Sequence, residues 1–209
     1  MGLGFALAGA AVVTVNGLQF LRAAVLRQQA RRAWEEAPSL PTALLPADTA
    51  GVRLVGAVPR RRPTGASVAR LIIPRLRFDE VVVEGVGERE LSAGPGHVPG
   101  SVLPGERGNA IISAHRDRHF SRLDDLRVGD TVWTETNQHR IGWRVAARQV
   151  VDREARALAD TPTATLTLTT CWPVRYLGPA PDRLIVTARP LGRGELAVVP
   201  PPVAGLARR

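Results

Sequence analysis

The sequence predicts a mostly β domain, an antiparallel barrel or sandwich, set behind an apolar N-terminal segment and a linker. Two observations predict it. Seven or eight short runs of Val, Ile, Leu and Thr are separated by Gly- and Pro-containing stretches, the pattern of strands joined by turns. Helical periodicity is sparse, and no strand-helix alternation marks a parallel βαβ sheet.

The first element, Gly2–Leu21, carries no charged side chain; its polar residues are Thr14, Asn16 and Gln19. A helix of this length spans about 30 Å, the thickness of a bilayer's hydrocarbon core. Gly4, Gly9 and Gly17 weaken a soluble helix but are tolerated in lipid. The expectation is a transmembrane anchor over residues 2–21, with a cleaved signal peptide second and a buried helix third. Arg22, Arg27, Arg31 and Arg32 follow the span, and the positive-inside rule alone would keep the next domain in the cytoplasm. Residues 22–66 read as a juxtamembrane helix and a Pro/Ala/Arg-rich linker, with four prolines from Pro38 to Pro59 and PRRRPTG at Pro59–Gly65.

The ordered domain is expected over residues 67–190. Two strands fall near Ala69–Ile73 and Phe78–Glu84, with Pro74 breaking the ladder between them. Gly85–Gly108 is a Gly- and Pro-rich loop with a helical turn near Glu88–Leu91. Asn109–Ala114 is an apolar run ending at His115. His119–Leu126 suits a short helix with Phe120, Leu123 and Leu126 on one side. Further strands are expected from Gly129-Asp130 to about Glu135, over Ile141–Val151, Thr165–Thr170 and Arg183–Ala188. Residues 191–209 form a Pro-rich tail.

Composition narrows the function. The formal net charge is +9, and every one of the 28 Lys or Arg residues is Arg. This permits contact with anionic surfaces. Aromatic residues are only 4%, which disfavours stacking platforms for single-stranded nucleic acid. The single cysteine, Cys171, excludes an intramolecular disulfide. If Thr165–Cys171 is extended, Leu166 and Leu168 share one face while Thr165, Thr167, Thr169 and Cys171 share the other. A space-filling cysteine belongs with the leucines; this one stands with the threonines at a strand end, and Pro173 stops the ladder.

A thiol needs a base or a cationic neighbour to react at neutral pH. Four histidines are available. His139 follows Asn137-Gln138 in a turn and reads as surface. His97 lies in the Gly/Pro loop, while a strand would hold His115 in place and His119 is four residues further on. His115, His119 and Cys171 also raise the alternative of a zinc-dependent hydrolase, although a histidine ending a strand breaks the i, i+4 helical geometry and only Asp117 offers a fourth ligand.

With Cys171 and His115 in place, the sequence resembles the sortases. TLTTC (Thr167–Cys171) is similar to that family's TLxTC strand end. NAIISAHRDRHFSRLDDLRVGD (Asn109–Asp130) resembles its histidine segment, and GPGHVPGSVLPGERGN (Gly94–Asn109) resembles the loop before it. DRLIVTAR (Asp182–Arg189) supplies the family's arginine at Arg183. RD-x-HF after the histidine and CWP after the strand look most like the Gram-negative class, and are also similar to class D. Ala114 replaces the usual Gly before the histidine, and Arg118 stands where that class often has Thr.

The resemblance implies a closed eight-stranded β-barrel with short helices. It implies a cysteine transpeptidase in which Cys171 attacks, His115 is the acid/base and Arg183 steadies developing charge, with no cofactor and no metal. Thr170, Asp117, His119 and Trp172 are secondary candidates for contact with substrate, and Arg175 rivals Arg183 for the arginine's role. The implied partners are an exported protein with a C-terminal sorting motif and an amine acceptor, met outside the cytoplasmic membrane. That side conflicts with the charge pattern; a basic leader ahead of the span would reconcile them. A non-catalytic, membrane-tethered assembly scaffold is a further alternative, and a basic nucleic-acid binder is the least favoured.

Overall fold

The computed structural model describes residues 2–37, 43–44, 62–137, 139–153, 161–176 and 178–192. The elements run α1 (Gly2–Glu36), β1 (Ala43–Leu44), β2 (Ser67–Ile73), β3 (Phe78–Glu84), α2 (Glu88–Ala93), β4 (Gly96–His97), β5 (Asn109–Ser113), β6 (Thr131–Glu135), β7 (His139–Asp152), β8 (Thr165–Trp172) and β9 (Asp182–Pro190). Hydrogen bonding follows the order β7-β6-β2-β3-β4-β5-β8-β9, and β9 returns to β7. Eight strands thus close into a barrel, which removes the exposed edges an open sheet would present. The two-residue β1 lies outside this circuit, parallel to β7.

Closure depends on the length of β7. Its first half pairs with β6 through Arg140–Arg144 and its second half with β9 through Trp143–Asp152, with a register shift between Val145 and Ala147. A bulge there lets one strand bend from one neighbour to the next. Parallel pairings β3–β4 and β5–β8 correct the expectation of a purely antiparallel sheet. Parallel neighbours need a long crossover, which the β6–β7 hairpin supplies between β5 and β8.

The barrel is filled by Leu71, Ile73, Val82, Ile112, Trp143, Leu166, Leu168, Leu184 and Val186, among others. Trp143 is fully buried, and its Nε1–H donates to Thr134 Oγ1 at 2.7 Å. Phe120, Leu123 and Leu126 join this core as expected, but the helix proposed for His119–Leu126 is reduced to a 3-10 turn over Leu123–Asp125. Pro74 sits inside a second 3-10 turn, Pro74–Leu76, which closes on Arg77 in the left-handed region at φ 51°. Below the turn, Arg70 forks onto Asp79 with two 2.6 Å bonds across the β2–β3 pair.

Residues 22–36 continue α1 as one helix. Val81 and Val83 alternate outward from Val82, and Ala30 and Trp34 cover them. Ser67 Oγ donates to the Ala30 carbonyl at 2.9 Å, Arg31 donates to the Asp79 carbonyl at 2.7 Å, and Arg27 pairs with Glu80. Among the described residues no helix is long and apolar enough to cross a membrane. The side chains of residues 2–16, most of the expected anchor, lie outside the described residues. So do residues 45–61, most of the expected linker, and residues 193–209, most of the expected tail.

β4 is a strand that periodicity did not reveal. It wedges the Gly/Pro loop between β3 and β5, pairing Val83↔Gly96 and His97↔Ile112. His97 anchors it and is only 1% exposed. Nδ1 lies 2.7 Å from Glu84 Oε2, and Nε2 lies 2.9 Å from the Val102 carbonyl. A carbonyl only accepts, so Nε2 carries a hydrogen. With both nitrogens engaged, His97 is a structural pin and not a base. Gly96 is required by close approach: a Cβ there would stand 2.1 Å from the Gly85 carbonyl oxygen and 2.9 Å from Leu91 Cδ2. Gly96→Ala is therefore expected to destabilise the domain by about 1–3 kcal/mol, read from the midpoint of chemical denaturation.

Candidate active site

β8 carries the thiol between two neighbours of opposite direction. On one side it runs antiparallel to β9, with Cys171 directly opposite Arg183. Directly opposed residues project to the same face, and Arg183 Nη1 donates to Cys171 Sγ at 2.8 Å. On the other side β8 runs parallel to β5, in register from Asn109↔Thr165 to Ser113↔Thr169. Beyond the last pair, Ala114 N–H donates to the Thr169 carbonyl at 3.2 Å and Thr170 Oγ1 donates to the Ala114 carbonyl at 2.7 Å. One residue further on, His115 follows Ala114 beyond the end of β5, and Cys171 follows Thr170 within β8.

The three side chains share a half-buried setting. Cys171 and Arg183 are intermediate in exposure, and the His115 side chain is 30% exposed. The guanidinium sits on the sulfur, and partial exposure leaves a path for an incoming carbonyl. His115 Nε2 meets Glu88 Oε2 at 3.2 Å, and the His115 carbonyl accepts from Phe120 N–H at 3.1 Å. Arg116 clamps the loop after β8, donating to the Pro173 carbonyl at 2.6 Å and to that of Gly178.

Arg175, the rival arginine, points elsewhere. Its guanidinium bonds Asp125 and lies 3.3 Å from Asp124 Oδ2. The Asp125 hydrogen bond, with both carboxylate charges, raises its pKa above the usual guanidinium value. No ion pair involves Arg183 among the described residues, so its charge stays available to the thiol.

The Sortase domain family profile matches residues 71–191, more than half of the chain. The chain belongs to the sortase family. It is 31% identical over 125 residues to Sortase D of Bacillus subtilis (strain 168), covering 59% of this chain and 63% of that protein, less than two thirds of its length. Two solved sortase structures are similar. One is a Clostridium perfringens Sortase D5 transpeptidase, at TM-score 0.57 and 27% identity, covering 62% of this chain and 81% of that one. The other is sortase C1 of Streptococcus agalactiae, at TM-score 0.56 and 28% identity, covering 61% and 68%. Class D, one of the two classes the sequence suggested, is among these relatives.

Of the predicted site residues the structure pairs Cys171 with Arg183, while His115 follows the neighbouring strand β5 with its Nε2 on Glu88. Thr170 is fully buried, and its hydroxyl donates to the Ala114 carbonyl, a contact that holds the register. Trp172 packs against the barrel core, closing the strand end from within. Asp117 is exposed and bonds none of the three. His119 turns toward α2 and α1: burial, then the Arg27 charge, push its pKa down from 6.5 to about 4, against a hydrogen bond with the Ser92 backbone. It is a neutral, half-buried ring at neutral pH. For the zinc alternative, no group of three His, Cys, Asp or Glu side chains is placed to hold a metal among the described residues. Sequence reasoning missed Glu88 and Arg116. Arg116 adjoins the histidine, a usable signal; nothing local singles out Glu88.

Two outcomes are expected. Thr170→Val keeps the shape but leaves the buried Ala114 carbonyl without its donor, lowering stability by about 1–3 kcal/mol in urea denaturation. The depressed His119 pKa predicts stability that is full above pH 6.5 and falls as pH drops toward about 4, because the unfolded chain takes a proton there that the folded one refuses. His119→Gln should flatten that part of the stability-against-pH curve.

Proposed function

We propose that this protein is a cysteine transpeptidase that cleaves a C-terminal sorting motif of an exported protein and passes the new acyl end to an amine. The observation that carries the reading is the Arg183 guanidinium on Cys171 Sγ, at opposed strand positions, with His115 two residues beyond the end of the adjacent parallel strand. Membership of the sortase family and similarity to a structure described as a Sortase D5 transpeptidase support it.

In this mechanism the Cys171 thiolate attacks the scissile carbonyl carbon and a C–S bond forms. The carbonyl π pair moves onto oxygen, where Arg183 supplies hydrogen-bond donors and positive charge. As the oxyanion collapses the C–N bond breaks, and the His115 imidazolium gives its proton to the leaving amine. A thioester remains, so one difficult step becomes two easier ones. An acceptor amine then attacks the thioester, neutral His115 takes its proton, and breaking the C–S bond restores the thiolate. Water in place of the amine gives hydrolysis.

The reading extends to location. Gly2–Leu21 is proposed as the anchor in the cytoplasmic membrane, with the barrel on the periplasmic or extracytoplasmic side; the uncharged run and the exported nature of the substrate support this. Docking of residues 27–34 on β2 and β3 would then hold the barrel close to the bilayer.

Cys171→Ala should abolish cleavage and transfer of a sorting peptide while the thermal unfolding profile stays near wild type. Full activity in that variant overturns the assignment. Arg183→Lys should lose about 100-fold or more in kcat/KM, because an ammonium lacks the planar fork that serves thiol and oxyanion together. If Arg175→Ala proves the inactive variant, the arginine is misassigned. A C-terminal reporter active only outside the cytoplasm tests the orientation, and silence counts against it.

A further inference from the structure

We propose that Glu88 is a positioning residue for His115: its carboxylate accepts the Nε2–H, fixing the imidazole tautomer so that Nδ1 is the nitrogen that exchanges protons in the reaction. The inference rests on the reading of His115 as the acid/base and assigns a role to a residue outside the Cys171–His115–Arg183 set.

The geometry carries it. Glu88 Oε2 stands 3.2 Å from His115 Nε2. A carboxylate at neutral pH only accepts, so the hydrogen lies on Nε2. Among the described residues Nδ1 has no hydrogen-bond partner, which leaves it as the open base. A histidine held through one nitrogen by a carboxylate, with the other turned to the chemistry, is the arrangement that orients the base in acid/base catalysis generally.

Glu88 is exposed, and an isolated surface pair of this kind is weak. Here both ends are tied down. Arg118, three residues after His115, donates to Ser92 Oγ at 2.8 Å and reaches Glu88 Oε1 at 3.8 Å, bridging the histidine loop to α2 at two points. α2 is held by Leu91, which is buried, and it lies against α1. The carboxylate is therefore presented by a fixed helix to a fixed loop.

The remaining charged groups near the ring do not compete for its proton. Arg118 is bonded to Glu88 and Ser92; Arg116 is turned to the Pro173 and Gly178 carbonyls; Arg183 is on the thiol; Asp117 is exposed and bonds no site group; His119, which faces Arg27, is neutral. Glu88 is the carboxylate bonded to the ring.

The test uses the full chain and three proteins: wild type, Glu88→Gln and Glu88→Ala. The first measurement needs no substrate. Nitrogen-15 shifts of the His115 ring, assigned by comparison with His115→Asn, should show the Nε2–H form in wild type and Glu88→Gln, whose amide oxygen still accepts. Glu88→Ala should show a mixture. In turnover of a sorting peptide, Glu88→Ala should lose about three- to tenfold in kcat with KM within about twofold, the rate equivalent of one net hydrogen bond. Glu88→Gln should recover most of that loss. An unchanged tautomer in Glu88→Ala, or a loss of activity that Glu88→Gln does not rescue, overturns the proposal. Labelling of Cys171 by a thiol-reactive peptide analogue separates this from the parent reading. If wild type resists labelling and turns over no peptide, the transpeptidase assignment fails, while the tautomer measurement still decides Glu88.

Discussion

The register of β8 between β5 and β9 is the constraint on which the rest depends. Side chains alternate along a strand, so a slip of one residue would exchange its two faces. In the observed register Leu166 and Leu168 fill the barrel, and Thr170 continues that inner face to bond Ala114. The same alternation places Cys171 on the opposite face beside Arg183. Core packing and thiol chemistry are thus set by one choice. Burial of two leucines, at about 1.5–3 kcal/mol each, guards the register far more strongly than any contact of the thiol could.

The two neighbours of β8 make different contributions because they run in different directions. Antiparallel β9 places Arg183 directly across from the cysteine, where a side chain can reach the sulfur. Parallel β5 ends at the same rim as β8, so the residues leaving both strands emerge side by side. Two arginines near this rim differ in their surroundings. Arg175 is neutralised by Asp124 and Asp125, while Arg183 faces a sulfur with no competing carboxylate. Arginine identity says little in a chain whose cations are all arginine; the carboxylates around each one decide what it does.

Much of the barrel was legible from local pattern. The strands expected over Phe78–Glu84, Asn109–Ala114 and Thr165–Thr170 form within a residue or two, because each combines β-branched or apolar residues with clear turn signals. β4 was not legible: Gly96–His97 has no periodicity to read, and it is a strand only because β3 and β5 leave a gap two residues long. The helix over His119–Leu126 failed for a related reason. Phe120, Leu123 and Leu126 enter the core whether or not the backbone is helical, and a short loop that must also return the chain to β6 has room for only one tight turn. α1 was read as a helix leaving a membrane, but Ala30 and Trp34 have a partner in Val81 and Val83 that composition could not name.

By itself the sequence determined which residues could react and where the strands would end. One thiol on a threonine face, a histidine closing an apolar run and the TLTTC and HRD stretches are local features, and each survives in the folded chain. The tertiary structure decided which groups meet. Arg183 was chosen over Arg175, His97 was withdrawn into a buried bond with Glu84, His119 was turned toward α2, and Glu88 was brought to His115 from 27 residues away. The physical reason is that hydrogen bonds and charge pairs act over a few ångströms of space regardless of chain separation. Strand alternation can therefore state a side chain's face, but only barrel closure supplies its neighbour.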